Sequence, residues 1–264
     1  MIPDDHALML FKFGINKYMK ELQNGRLFFS CAGNYVYIAK NNGNSEQGDE
    51  EEGVFARLKK HDLKIDECIK KYGKDLEIMD DGSHVKLRRR SSLLYPLFCL
   101  YAYRAKDVLE NSNIKSGTHK YKHNFNSKIF EAFSQSSKSK NVLSEEFLPT
   151  ICFFQPKPFV DVVRYSLIVN NITYKMKAIN YDVKSNEQYY IEPDDARSEL
   201  FYKNPKYEYQ HEARICVSNR KFTSIFENEI INVQKFKDQD CKLIINHEIY
   251  FTHLATIFKN YNFR

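Results

Sequence analysis

Tryptophan is absent, and Gly (9) and Pro (7) are scarce for a chain of 264 residues. That scarcity excludes collagen-like repeats and Gly/Pro-rich linkers, and a content of 42% hydrophobic residues excludes a chain disordered throughout. No apolar run reaches the roughly 18–20 residues that cross a bilayer. The longest, Leu93–Tyr103, has 11 residues and is interrupted by Pro96, so no membrane partner is expected. The opening residues, Met1-Ile2-Pro3-Asp4-Asp5, are acidic where an export signal is basic and then apolar, which predicts a cytoplasmic protein. Cys31, Cys68, Cys99, Cys152, Cys216 and Cys241 form no C-x-x-C pair, and no Cys/His cluster has zinc-ligand spacing, so reduced thiols and no metal are expected. Charge of one sign is also lacking: 40 Lys+Arg against 34 Asp+Glu leaves +6, which favours anionic partners without selecting one.

What is present is aromatic, with 20 Phe and 18 Tyr, and strand-rich. His6–Phe13 reads as a buried strand ending at Gly14. Ile15, Tyr18, Met19 and Leu22 follow at i, i+3, i+4 and i+7, a helix stopped by Gly25, and Arg26–Ser30 reads as the next strand. Asn41–Gly53 holds turn formers and then five acids between Glu46 and Glu52, which predicts an exposed loop. Helical spacing over Lys59–Tyr72 is followed by a hairpin, Leu76–Met79 and Val85–Arg89 about an Asp81-Gly82 turn, and by a buried strand or strand pair in LLYPLFCLYAY. Ile114–Lys140 carries six Lys against Glu131 alone and predicts a flexible basic insertion around 112–142 with a short helix at Ser127–Phe133. A helix over Pro158–Val169, strands over Ile172–Tyr181 and Tyr207–Ser218, a short helix over Arg197–Lys203, and strands at Ile230–Val233, Lys242–Asn246 and Glu248–Thr252 before a C-terminal helix complete an irregular order. That order predicts α+β rather than regular βαβ.

The segment Tyr207–Val217 is the most informative. Read as a strand, it places Gln210, Glu212 and Arg214 on one face and Tyr209, His211, Ala213, Ile215 and Val217 on the other. A carboxylate between an amide and a guanidinium is oriented and kept ionised. Lining a cleft, it can hold a ribose 2′-hydroxyl and stabilise positive charge developing at the anomeric carbon. The competing reading is a solvated strand face with an ordinary ion pair. His211 falls on the apolar face and reads as a core histidine rather than a base.

FKFG at Phe11–Gly14, NGRLFFS at Asn24–Ser30, QGDEEEG at Gln47–Gly53 and ELFYKNPKYEYQHEARI at Glu199–Ile215, in that order, resemble the ADP-ribosyltransferase superfamily, of the DarT-like bacterial toxin and phage-defence type. The resemblance implies one domain over 1–264 with a split mixed β-sheet core and peripheral helices. It also implies an enzyme that clamps NAD⁺ as co-substrate, moves its ADP-ribose to an acceptor and releases nicotinamide. Glu212 becomes the catalytic glutamate and Gln210 the residue that helps place the acceptor. Lys12 and Phe13 stand where the first strand meets the cofactor, with Lys12 in place of the family's His or Arg. Ser30 matches the serine that supports the nicotinamide ribose, or is a strand-end hydroxyl bonded to nearby backbone. Tyr35 or Tyr37 offers a ring to the cationic nicotinamide, and Arg214 completes the cofactor-binding set.

Asp49 and Glu52 face the substrate or lie in a solvated acidic loop; Arg88, Arg89 and Arg90, after Lys86, hold a phosphate backbone or solubilise the surface. The basic segments favour a nucleic-acid acceptor, RNA ahead of DNA. A toxin of this kind implies a neutralising antitoxin, or a chaperone that holds it partly unfolded. Replacing Glu212 is expected to abolish transfer with little loss of fold. The alternative class is a basic nucleic-acid-binding or nuclease-like defence protein without NAD chemistry, whose binding weakens steeply with salt.

Overall fold

A computed structural model describes residues 7–41, 48–104 and 145–245. The chain is mixed α+β with two antiparallel sheets, and its contacts divide into two compact units. Among the described residues the first comprises 7–25, 101–104, 145–162 and 235–245, the second 26–41, 48–100 and 163–234. The basic insertion, the Glu248–Thr252 strand and the C-terminal helix expected from the sequence lie outside the described residues.

In the first unit, β1 (Ala7–Ile15) pairs antiparallel with β7 (Pro149–Phe154) on one side and with Tyr101–Arg104 of β6 (Pro96–Arg104) on the other; β12 (Cys241–Ile245) adds to β7. Helix α1 (Asn16–Gln23) follows β1 directly and buries Met19 and Leu22. It ends as its sequence predicts: the amide of Asn24 donates to the Lys20 carbonyl, that of Gly25 to Leu22, and Gly25 takes a φ of +88°. Phe154 of β7 meets Phe159 at a tilt and Phe236 edge to face, and Phe159 stacks on Phe236.

The second unit holds the four-stranded sheet β4-β5-β3-β9, built from β3 (Val54–Lys59), β4 (Leu76–Asp80), β5 (His84–Arg89) and β9 (Tyr189–Tyr190). The predicted Asp-Gly hairpin is its β4–β5 edge: Asp81 Oδ1 accepts the amide of His84, Asp80 Oδ1 that of Gly82. Helix α3 (Leu63–Tyr72) is capped by Asp62, whose carboxylate accepts the amide of Lys64, and carries Lys70 and Lys71 at its negative end. Elsewhere in this unit β2 (Arg26–Cys31) pairs with β11 (Asn228–Asn232) and with Leu97 and Pro96 of β6, and β8 (Tyr174–Ala178) pairs with β10 (Glu212–Val217). These ladders are antiparallel, not the mixed arrangement expected; a parallel contact is the isolated bridge Asn180–Tyr202. Helix α4 (Pro156–Val169) begins in the first unit and ends in the second.

Helix α2 (Ala32–Asn41) has no signal in its sequence, AGNYVYIAKN, which is poor in strong helix formers. Packing overrides that propensity. Ala32, Gly33 and Val36 are buried, and a Cβ at Gly33 would come within 2.5 Å of the Ile225 side chain. The acidic loop returns against the same helix, with Gly48 so close that a Cβ there would lie 2.3 Å from the backbone nitrogen of Ala39. Gly48→Ala is therefore expected to lower the free energy of unfolding by about 1–3 kcal/mol, read as a reduced midpoint in chemical denaturation.

Candidate functional site

The polar stripe is real but does not lie on one strand. Asn204 caps and Pro205 opens a 3₁₀ turn, Pro205–Gln210, with the Asn204 carboxamide oxygen accepting the amide of Lys206. His211 then takes a left-handed conformation (φ +41°), half-buried rather than set in the apolar face of a strand, and β10 starts only at Glu212. Gln210 and Glu212 are reunited by a residue that sequence reasoning passed over. Lys203 Nζ donates to Gln210 Oε1 at 2.9 Å and to Glu212 Oε2 at 2.8 Å.

The other oxygen of Glu212, Oε1, accepts Arg214 Nε at 2.5 Å. The far edge of the same guanidinium makes a fork with Glu52, Nη1 to Oε1 at 2.6 Å and Nη2 to Oε2 at 2.8 Å, and Nη1 also donates to the Leu200 carbonyl at 2.5 Å. Glu212 is 7% exposed, Arg214 1% and Glu52 0%. The solvated-face reading of the stripe is thus overturned. Arg214, expected to touch a cofactor, has each of its nitrogens bonded to protein, and its Nε holds the Glu212 carboxylate. Burial by itself would raise the Glu212 carboxyl, but the charges of Arg214 and Lys203 outweigh it and hold the group well below the usual carboxylate range.

The acidic loop is likewise turned inward from Gly48 on. Asp49 is 1% exposed; its amide donates to the Tyr35 carbonyl at 3.1 Å and its Oδ1 accepts the amide of Glu51 at 2.9 Å. The predicted phosphate-binding run is what holds this loop down. Lys86 Nζ bonds Glu51 Oε1 at 2.7 Å, and buried Arg88 donates to the carbonyls of Glu50 (3.0 Å) and Glu52 (3.2 Å) and to Glu77 Oε2 (2.9 Å). Arg89 is buried against the carboxylate of Glu199, which also accepts the Ser92 hydroxyl. Arg88 and Arg89 are therefore occupied by acids of the same unit, and of the three arginines Arg90 is the exposed one. The β3–β5 register, which sets Val54 opposite Arg88, brings the acidic run and the basic run together; they meet in the Lys86–Glu51 ion pair and in the bonds of Arg88 to backbone carbonyls, while the charges of Arg88, Arg89 and Glu52 are compensated by Glu77, Glu199 and Arg214.

Of the remaining sequence candidates, Tyr35 lies within this cluster. Its hydroxyl pairs with Cys99 Sγ at 3.4 Å; burial and Cys99 raise its pKa, with smaller influences from Glu212 and Arg214. Tyr37 is exposed and its ring meets Phe226 edge to face at 4.9 Å. The Ser30 hydroxyl accepts from Asn34 Nδ2 at 3.3 Å. Lys12, opposite Cys152, and Phe13, its ring against Tyr101, belong to the first unit. Among the described residues no group of three or more His, Cys, Asp or Glu side chains could hold a metal, and no helix is long and apolar enough to cross a membrane. No family model, no curated protein and no solved structure matches this chain.

The burial of Glu212 corrects the expectation that its replacement spares the fold. Removing one partner of a buried ion pair leaves an uncompensated charge, at a cost of about 3–5 kcal/mol. Arg214→Met is expected to cost that much or to prevent folding, and Arg214→Lys to recover only part of it, because an ammonium cannot bridge two carboxylates as a fork does. The pH dependence has a definite sign. A carboxyl whose pKa is depressed by folding stabilises above its unfolded value, near 4.5, and loses that contribution as the pH falls toward its folded value. Denaturation midpoints should fall below pH 4.5 in the parent protein and fall less steeply in Glu212→Gln, which starts from a lower stability at pH 7.

Proposed function

We propose that this chain is an NAD⁺-consuming mono-ADP-ribosyltransferase that modifies nucleic acid, RNA in preference to DNA, with Glu212 as the carboxylate that stabilises the oxocarbenium-like transition state. What supports the reading is the state of Glu212: a carboxylate held ionised by Arg214 and Lys203 and tied through Lys203 to Gln210. Fixed negative charge aimed at developing positive charge needs no reorganisation at the moment of reaction, which is the largest electrostatic advantage an active site offers. Each Glu212 oxygen has one bond from the protein and a second lone pair for a ribose hydroxyl. NAD⁺ enters as a substrate and is consumed, its C1′–nicotinamide bond broken and its ADP-ribose retained by the acceptor. Gln210, half-buried at the edge of the cluster, aligns the acceptor. A cytoplasmic toxin of this activity is held in check by an antitoxin or a chaperone.

The alternative, a nucleic-acid-binding protein without NAD chemistry, loses support from the inward turn of Arg88 and Arg89. Incubation with adenylate-labelled NAD⁺ and separate pools of total RNA, DNA and protein tests the choice. Nicotinamide release with label entering RNA is the expected result, and Gln210→Ala, which leaves the Lys203–Glu212 pair in place, should transfer at least about tenfold more slowly. A folded protein that releases no nicotinamide but binds RNA with a steep salt dependence would establish the alternative.

A further inference from the structure

Asp49 is a carboxylate of this cluster with an unsatisfied buried oxygen, as Glu199 is beside Arg89. Its Oδ1 is satisfied by the amide of Glu51, but Oδ2 is buried and has no hydrogen-bond donor. A buried carboxylate oxygen without a partner is costly, and it persists where a donor arrives from outside or a proton is taken up. The position of Asp49 is fixed from both sides of its peptide: Gly48 is pressed against the backbone of Ala39, and the Asp49 amide is bonded to Tyr35, both in α2. Three residues on, Glu52 of the same loop clamps Arg214 and through it Glu212. Lys203, bonded to Glu212 and Gln210, also feels the charge of Asp49. Exposed Glu50 is the next residue along the loop.

The groups that act on Asp49 come from every neighbouring element: Lys203 before the Pro205–Gln210 turn, Lys184 in the Val183–Ser185 turn, Tyr207 in the Pro205–Gln210 turn, Tyr189 in β9, and Glu51 and Glu52 in its own loop. Burial raises the Asp49 carboxyl and Glu52 adds to the rise, against the opposing charges of Lys203 and Lys184. Glu212, beside the same lysine, is pushed the other way. Two carboxyls driven apart in this manner mark a division of labour between charge stabilisation and proton transfer.

We propose that Asp49 is the general base of this site, its Oδ2 accepting the proton that the acceptor nucleophile loses. The assignment rests on ADP-ribosyl transfer being the reaction. The acceptor's O–H or N–H bond breaks as its oxygen or nitrogen bonds to C1′ of the ribose. The C1′–nicotinamide bond breaks with its electron pair leaving on neutral nicotinamide, and the proton passes from Asp49 to water. Nothing is oxidised or reduced.

The test compares two rates in the parent protein and in Asp49→Asn: label transferred to whichever pool accepts it, and nicotinamide released with no acceptor present. Loss of a general base should lower the ratio of transfer to hydrolysis by about 10²-fold or more, and the acid limb of the transfer rate should vanish in the variant. Equal loss of both rates, or an unchanged ratio, would overturn the assignment while leaving the enzyme reading intact. If Asp49→Asn does not fold, the parent protein alone decides. Its transfer rate should rise with pH through an ionisation above the usual carboxylate value of 3.8, absent from hydrolysis, and a transfer profile without it overturns the proposal. A parent protein that releases nicotinamide but labels no pool also overturns it, and one that releases none removes the reaction itself.

Discussion

A guanidinium 1% exposed to water must replace its whole hydration shell with protein, and Arg214 does so by drawing two other stretches of chain, and a neighbour on its own strand, onto one planar group. The acidic loop supplies Glu52, the turn Ser198–Phe201 supplies the Leu200 carbonyl, and β10 itself supplies Glu212. Fork geometry makes the attachment directional: the pair of bonds to Glu52 fixes the plane of the guanidinium, which fixes where Nε points and hence where Glu212 is held. Lys203 and Gln210 are then located by the remaining oxygen of Glu212. The charge state of the whole cluster follows from this placement, since an acid left without Arg214 in so dry an environment would be driven toward its neutral form.

Charge compensation on this scale is an uncommon way to stabilise a small fold. Desolvation offsets most of the attraction in a buried ion pair, and well-packed apolar residues would serve stability as well or better. In the second unit Asp49, Glu51, Glu52 and Glu212 meet Lys86, Lys184, Lys203 and Arg214, while a separate apolar core of Leu97, Ile179, Leu200, Phe201 and Cys216 does the packing. Perturbed acids and bases gathered beside such a core occur both in functional sites and in structural ion-pair networks. The basic residues of β5 are part of that internal balance, with Lys86 on Glu51, Arg88 on Glu77 and Arg89 on Glu199.

Where local chemistry decides conformation, the chain can be read directly. Gly25 ends α1, Asp62 caps α3, and the Asp80-Asp81-Gly82 turn closes the β4–β5 hairpin as their side chains and permitted dihedrals require. Asn204-Pro205 carried an equally local signal for the 3₁₀ turn that interrupts the Gln210–Glu212 stripe, and alternation of apolar and polar residues concealed it. Helix α2 had no such signal, because its stability lies in contacts made by Ala32, Gly33 and Val36 rather than in its composition. Glu212 and Gln210 were visible as a pair. Lys203 was not, since its relation to them is a meeting of side chains and not a spacing.

By itself, then, the amino-acid sequence determined the class of fold and many of the turns and caps that punctuate it. Only the tertiary structure decided which charges face water. Charge runs such as Gly48–Gly53 and Lys86–Arg90 look solvent-exposed because an isolated ion is far more stable in water than in protein. Their burial is compensated by partners outside the two runs: Glu77 for Arg88, Glu199 for Arg89, and Arg214, which β10 brings to Glu52 across 162 residues of sequence. That pairing depends on distances in space, which no local pattern of residues encodes.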